Sequence, residues 1–260
     1  MTARLRLRSL LDGGRVAGGL FMSIPAPEIV EIAAVAGFDF VLIDLEHTLI
    51  DGQALEHLLA AADRAGLSAL VRVSGACSER ILQCLDAGAA GIVVPRVSSL
   101  AEAEQAVRRA RYAPRGIRGL NAGRLGRYGE SDLPALAARL DRETLVVAMI
   151  EDEAGLGAAT TIARLDGIGG LLFGAADYSQ SIGLPWQTSA PEVVAAGSVV
   201  ARACREAGIH CFAIPRADED LPRLLDEGAR GLLAANDRGL LRRALTATDR
   251  TWRRIAGVQA

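Results

Sequence analysis

The sequence predicts an α/β fold, a closed (β/α)8 barrel formed by a single domain over residues 1–260. Three observations predict it. Four times a helix-like segment ends at glycine and a short apolar run follows at once. Four further apolar runs fill the gaps, which makes eight. Segments with helical spacing separate them along nearly the whole chain. Strand and helix alternating in this way is the signature of the barrel, with a doubly wound open sheet as the rival.

The four repeated phrases are Gly37-Phe-Asp-Phe-Val-Leu-Ile-Asp44, Gly88-Ala-Ala-Gly-Ile-Val-Val-Pro95, Gly167-Ile-Gly-Gly-Leu-Leu-Phe-Gly174 and Gly228-Ala-Arg-Gly-Leu-Leu-Ala-Ala-Asn236. Glycine behind a helix supplies the left-handed cap that turns the chain back towards a sheet. A short apolar run without alternation fits a parallel strand covered on both faces. The remaining strands are expected over 19–23, 69–73, 145–150 and 210–214. Behind Asp51, a candidate N-cap, Leu55, Leu58, Leu59 and Ala62 lie on one helical face. Ile81, Leu82, Leu85 and Ala89 repeat that pattern, and Pro191 suits a first helical turn. The stretch 116–129, rich in Gly and Arg, is the longest irregular piece, and 237–260 should be a terminal helix.

Composition narrows the function. With 29 basic and 31 acidic residues the net charge is −2, which argues against nucleic-acid and anionic-membrane partners. No apolar run reaches membrane-spanning length, residues 1–8 do not form a signal peptide, and four cysteines do not make a disulfide scaffold. The chain therefore reads as soluble and cytoplasmic. All 29 basic residues are arginine. Imine-forming, pyridoxal phosphate and P-loop chemistries each need a lysine, so all three are excluded.

Chemistry in such a barrel sits at the carboxyl ends of the strands. Asp44, Glu46 and His47 follow the second run, Arg72 ends the third, Glu151-Asp152-Glu153 follow the fifth, and Asp177 lies beyond the sixth. Two carboxylates on neighbouring strand ends, Glu151 and Asp177, suit a hard cation such as Mg2+ or Mn2+ and leave positions open for water and a chelating substrate. Strand-end acids also cap helices or pair with arginine. His47 is the histidine placed to act as a base, because His57 lies within a helix and His210 begins a strand. Arg72 closes an otherwise apolar strand, where a guanidinium needs an anion: a substrate, or Asp44 or Glu46 in a structural ion pair. The glycine-rich Gly116-Ile-Arg-Gly-Leu-Asn-Ala-Gly-Arg124 lacks the setting of a phosphate loop and is expected to be a flexible active-site rim. The cysteines lack zinc-site spacing and read as core thiols.

Phe40-Val-Leu-Ile-Asp-Leu-Glu-His47, Leu70-Val-Arg-Val73, Val93-Val-Pro95, Arg111-Tyr-Ala-Pro-Arg-Gly-Ile-Arg-Gly119, Met149-Ile-Glu151 and Phe173-Gly-Ala-Ala-Asp-Tyr-Ser179 occur in this order. Together they resemble the HpcH/HpaI aldolase family, metal-dependent class II pyruvate aldolases related to the citrate lyase β chain, from about residue 10 to residue 245. The resemblance implies a barrel of the phosphoenolpyruvate/pyruvate type in a homotrimer or homohexamer, with the helix 237–260 exchanged between subunits. It implies a divalent cation (Mg2+, Mn2+ or Co2+) on Glu151 and Asp177, and a base at His47 supported by Asp86. Arg72 would bind substrate and enolate, and the backbone around Ala176 and Asp177 would dock the pyruvate carboxylate.

The implied reaction is cleavage or formation of a 4-hydroxy-2-oxo acid through a pyruvate enolate, with a small oxo acid and an aldehyde as partners. Some relatives instead condense oxaloacetate with acetyl-CoA to make citrate for siderophore assembly, and others decarboxylate oxaloacetate. A non-catalytic binding barrel accords poorly with Glu151, Asp177, His47 and Arg72 all being present. Three positions depart from the family pattern. Met149 replaces a glutamine that contacts substrate, Gly174-Ala-Ala-Asp177 replaces Gly-Pro-Ala-Asp, and Leu45 stands where many members have a small residue.

Overall fold

The computed structural model describes residues 2–258; Met1 and the last two residues of the expected 237–260 helix, Gln259 and Ala260, lie outside it. Eight parallel strands close in sequence order into a barrel. They are β1 (Ala17–Met22), β2 (Phe40–Asp44), β3 (Ser68–Arg72), β4 (Gly91–Val94), β5 (Leu145–Ile150), β6 (Gly170–Phe173), β7 (His210–Ala213) and β8 (Ala229–Asn236). The helices are α1 (Ala3–Asp12), α2 (Pro27–Val35), α3 (Gly52–Ala65), α4 (Arg80–Ala87), α5 (Leu100–Ala110), α6 (Leu133–Glu143), α7 (Glu153–Ala163), α8 (Ala175–Ser181), α9 (Pro191–Ala207), α10 (Leu221–Asp226) and α11 (Asp237–Ala256). All eight expected strands form, and the open-sheet alternative is excluded by the pairing of β1 with β8. The four phrase glycines carry the positive φ that the turn requires: +91° at Gly37, +114° at Gly88, +102° at Gly167 and +102° at Gly228. Asp51 caps α3, its carboxylate accepting from the Ala54 amide at 2.7 Å.

The strand period of two divides the core into two layers. Outward residues such as Val41, Ile43, Val71, Ile92 and Val146 pack beneath the helices. Inward residues, among them Phe40, Leu42, Leu70, Val147, Met149, Leu172 and Phe212, fill the barrel. Phe40 and Phe212 meet edge-on, with ring centroids 6.2 Å apart. Glycines admit them: a Cβ at Gly19 would overlap the Phe40 ring, and one at Gly231 the Phe212 ring.

Two regions differ from expectation. The N-terminal Leu/Arg stretch forms α1, which inserts Leu7 and Leu11 into the inner core and closes the amino-terminal end of the barrel. It is anchored by the Leu7 amide donating to Ser68 Oγ at 3.0 Å. The Gly/Arg-rich stretch is not a rim at this chain's carboxyl-terminal mouth. It runs between α5 and α6 at the opposite end, where Arg115 pairs with Asp166 at 2.9 Å and Arg111 donates to the Gly167 carbonyl at 3.0 Å, both just ahead of β6. Its structure is set by these contacts and by Arg118, whose side chain is fully buried.

Gly19→Ala should lower the thermal midpoint through a loss of about 1–3 kcal/mol, the usual cost of overpacking a filled core. Calorimetry checks this; an unchanged midpoint would mean that the Phe40 layer can yield.

Candidate active site

The inward rows that fill the barrel continue to its carboxyl-terminal mouth. Phe40 and Leu42 lead to Asp44, Leu70 leads to Arg72, and Val147 and Met149 lead to Glu151. Asp44 and Arg72 are register partners across β2 and β3, so their side chains must share the mouth. The Arg72 Nε donates to Asp44 Oδ1 at 2.8 Å. Its Nη1 lies 3.1 Å from Glu46 Oε2, leaving Nη2 outside both pairs. The guanidinium also stacks 4.8 Å from the centre of the Phe21 ring. The pairing with Asp44 and Glu46 is therefore real, and it fixes Arg72 in a cavity of about 460 Å3 lined also by His47, Met149, Ala176 and Asp177.

Glu151 is buried at 3% exposure. Its Oε2 accepts from the Arg96 amide at 2.9 Å, while Oε1 has no hydrogen-bond partner. Gly174, at the end of β6, makes room for it, since a Cβ there would overlap Glu151 Oε1. Burial pushes the Glu151 carboxyl up to about 7 against the opposing Arg96 amide, and the charges of Asp177 and Glu46 push the same way. Asp177 lies in the first turn of α8 and lines the cavity. Asp177 is near enough for its charge to act on Glu151, so two carboxylates, one with an orphaned buried oxygen, stand close together, and this donor set fits a hard divalent cation. The helix-capping role open to strand-end acids falls to the next residue: Asp152 accepts from the Gly155 amide at 2.7 Å.

His47 is exposed at the mouth, with Nε2 3.8 Å from Glu46 Oε2. Asp86 is not brought to it within the chain. It sits in the last turn of α4, the end that returns to the barrel's amino-terminal face, and pairs with Arg118 at 2.8 Å and Asn121 at 3.2 Å. Sequence reasoning missed Arg96. Its φ of +50° turns its amide onto Glu151, and its guanidinium reaches Glu46 Oε1 at 3.0 Å. The only sequence signal was its place directly after the fourth apolar run and Pro95.

The model of the HpcH/HpaI aldolase/citrate lyase family matches residues 18–244. The chain belongs to this family. It is 32% identical over 233 residues to a hydroxypyruvate/pyruvate aldolase of Roseobacter denitrificans, covering 89% of this chain and 90% of the relative. It is 32% identical over 253 residues to a 4-hydroxy-2-oxovalerate aldolase of Rhodococcus jostii, covering 96% of each. Among solved structures, the citrate synthase SbnG superposes with a TM-score of 0.90 at 36% identity, covering 97% of this chain and 99% of that one.

The elevated Glu151 carboxyl has a stability consequence. A folded-state value above the ordinary carboxylate range means that the cation-free protein is most stable below that range and loses stability as pH rises through about 7. In chelator at pH 8, Glu151→Gln should therefore melt at a higher temperature than the native protein, with the difference closing by about pH 5. Equal melting temperatures at pH 8 would mean that the carboxylate is not desolvated.

Proposed function

We propose that this chain is a divalent-cation-dependent aldolase, a carbon–carbon lyase that cleaves or forms a 4-hydroxy-2-oxo acid through the enolate of pyruvate. One observation carries the reading: Glu151, with an unpartnered buried oxygen, feels the charge of Asp177, and Asp177 lines one cavity with the fixed Arg72 guanidinium, in a chain without lysine. Glu151 and Asp177 would hold Mg2+, Mn2+ or Co2+, with substrate and water completing the coordination. Such a cation, when bound, supplies Lewis-acid polarisation of the 2-oxo group.

The chain's own residues do the rest. Arg72, its orientation fixed by Asp44 and Glu46, places positive charge where the 2-oxygen becomes negative. His47 takes the proton of the 4-hydroxyl as the C3–C4 bond breaks and the bonding pair moves into the enolate. The same proton returns to C3 to give pyruvate. The backbone of Ala176 and Asp177 would receive the pyruvate carboxylate. Met149 packs in the layer beneath Glu151 and offers no hydrogen-bond donor, which favours aldehydes with apolar rather than hydroxylated chains.

The reading extends to assembly. The 20-residue α11 leaves Leu245 at 62% and Ile255 at 77% exposure, which supports its exchange between subunits of a homotrimer or homohexamer. Four free cysteines accord with the reducing cytoplasm. Among the described residues no helix is long and apolar enough to cross a membrane.

One observation favours a second reading. The citrate synthase SbnG is 36% identical over 97% of this chain, an identity that a pyruvate aldolase of Rhizobium etli reaches over 72% of it. Condensation of oxaloacetate with acetyl-CoA, or decarboxylation of oxaloacetate, would use the same enolate-stabilising groups. Consumption of oxaloacetate that depends on acetyl-CoA distinguishes condensation from aldol cleavage.

Deuterium exchange into the pyruvate methyl group tests the core of the proposal. Exchange should vanish in excess chelator, return with Mg2+ or Mn2+, and be lost in Glu151→Gln and Asp177→Asn. Full exchange in chelator would sink it. Arg72→Lys keeps the charge but loses the planar fork, and should cost about 2–4 kcal/mol of transition-state stabilisation in exchange and in aldol turnover alike. A native exchange rate in that variant would leave Arg72 only its structural pairing. His47→Ala should lose orders of magnitude in aldol cleavage, as measured by pyruvate release.

A further inference from the structure

Among the described residues, those other than glycine that hold a positive φ are Arg96, Arg127, Tyr128 and Trp186. Arg127 and Tyr128 lie in the irregular stretch between α5 and α6. Arg96 turns its amide onto Glu151 by that conformation. Trp186, at +64°, lines the mouth cavity, on the same connection between β6 and α9 that carries Asp177. A tight turn fixes its backbone. The Gln187 amide donates to the Leu184 carbonyl at 3.0 Å, and the Leu184 amide to the Ser179 carbonyl at 2.7 Å. Pro185 and Trp186 are therefore the central residues of a four-residue turn. Proline cannot take a positive φ, so the pair fits a type II turn, whose third position normally goes to glycine or asparagine. Here it holds the bulkiest of side chains, which local backbone preference does not explain.

Packing does not explain it either. Trp186 is 78% exposed. Among the described residues no ring or guanidinium stacks on it, whereas the other tryptophan, Trp252, carries Arg253 at 4.8 Å. An indole kept out of the core, on backbone that favours glycine, points to a role in binding. The cavity is graded in depth. Arg72 and Met149 are buried at its floor, while His47, Trp186 and Arg243 are exposed at its rim. Trp186 is the large apolar member of that rim. With the 2-oxo acid end at Arg72 and the 4-hydroxyl at His47, the group carried by C4 leads outward from the floor to the rim. There the indole offers it a flat apolar face beside charged and polar neighbours.

We propose that Trp186 is a specificity-determining residue: its indole stacks on the group that C4 brings from the aldehyde, so that the site takes aldehydes bearing a flat, aromatic substituent. This rests on the pyruvate-enolate reading above and assigns its aldehyde class. Trp186 touches the substituent and takes no part in proton transfer.

Binding tests this without turnover. In the Mg2+-loaded protein, calorimetry compares 2-oxo-4-phenylbutanoate with 2-oxo-4-cyclohexylbutanoate. The two share the 2-oxo acid end and the carbon skeleton and lack the 4-hydroxyl, so neither is cleaved. Burial alone does not favour the phenyl ring, which has the smaller apolar surface. Stacking does, and the phenyl ligand should bind about threefold to tenfold more tightly. Trp186→Gly should bring the ratio of the two dissociation constants to one or below, while Trp186→Phe keeps the preference for phenyl. Glycine suits the turn, so the thermal midpoint of Trp186→Gly should not fall. In Trp252→Phe, where Trp186 is the tryptophan that remains, the phenyl ligand should change the emission.

A native ratio of one, or a phenyl preference unchanged in Trp186→Gly, overturns the assignment. So does emission from Trp252→Phe that is blue-shifted without ligand and moves to the red on dilution, the sign of a second copy covering the indole. Proton exchange of pyruvate in the native protein reports separately on the enolate chemistry. Its absence beside a Trp186-dependent ratio would remove the reaction and leave the stacking platform standing. Normal exchange beside a ratio of one would do the reverse.

Discussion

The mouth of this barrel is organised by the charge balance around Arg72. A guanidinium cannot shed its proton, and at the end of β3 it is nearly enclosed, with a side-chain exposure of 6%. Asp44, buried at 2%, answers it from the adjacent strand at a position dictated by sheet register. Glu46 answers it from the following loop, and Arg96 then balances Glu46. The chain of alternating charges fixes four side chains and one backbone amide. That amide, from Arg96, holds one oxygen of Glu151 and leaves the other buried without a partner. The acceptor end and the donor end of the site are thus set by a single network. Removing either acid would leave a buried cation short of its counter-charge, a costly state that would disturb Glu151 as well.

The same strands serve as core and as catalyst support. Inward positions below the mouth carry Phe40, Leu42, Leu70, Val147 and Met149, and two residues further on each row turns polar. The alternation that fills a barrel with side chains therefore delivers Asp44, Arg72 and Glu151 to one opening without any long loop. Glycine appears where bulk must be refused: Gly19 beside Phe40, and Gly174 beside Glu151. In the first case the space goes to an aromatic ring, in the second to a carboxylate.

Much of this was legible in the sequence, for identifiable reasons. Glycine followed by an unbroken apolar run reports both a helix end and a strand and placed four of the strands; apolar runs in the gaps placed the other four. Polar residues closing such runs marked Asp44, Arg72, Glu151 and Asp177, because barrel geometry gathers strand ends. What was not legible depended on contacts distant in sequence. The N-terminal Leu/Arg alternation does not announce a helix that closes the barrel; Leu7 and Leu11 acquire that meaning only from the open end beneath them. The Gly/Arg-rich stretch suggested flexibility, yet Arg111, Arg115 and Arg118 anchor it to residues more than thirty positions away. Arg96 carries no local signature, since its part lies in a backbone dihedral.

The root of α11 is clamped. Asp237 is 4% exposed, its carboxylate accepts from the amides of Ser23 at 2.8 Å and Ile24 at 2.7 Å, and Asn236 caps the helix through the Gly239 amide at 2.6 Å. From that clamp the helix extends about 30 Å at the usual rise per residue. It behaves as a cantilever: displacement grows with distance from the fixed end, and within the first two turns it stays small. Arg243 sits close to the fixed end, whereas the exposed Ile255 lies in the last turn. Leverage is therefore available at the tip, for seating against another molecule, without being transmitted to the guanidinium at the cavity wall.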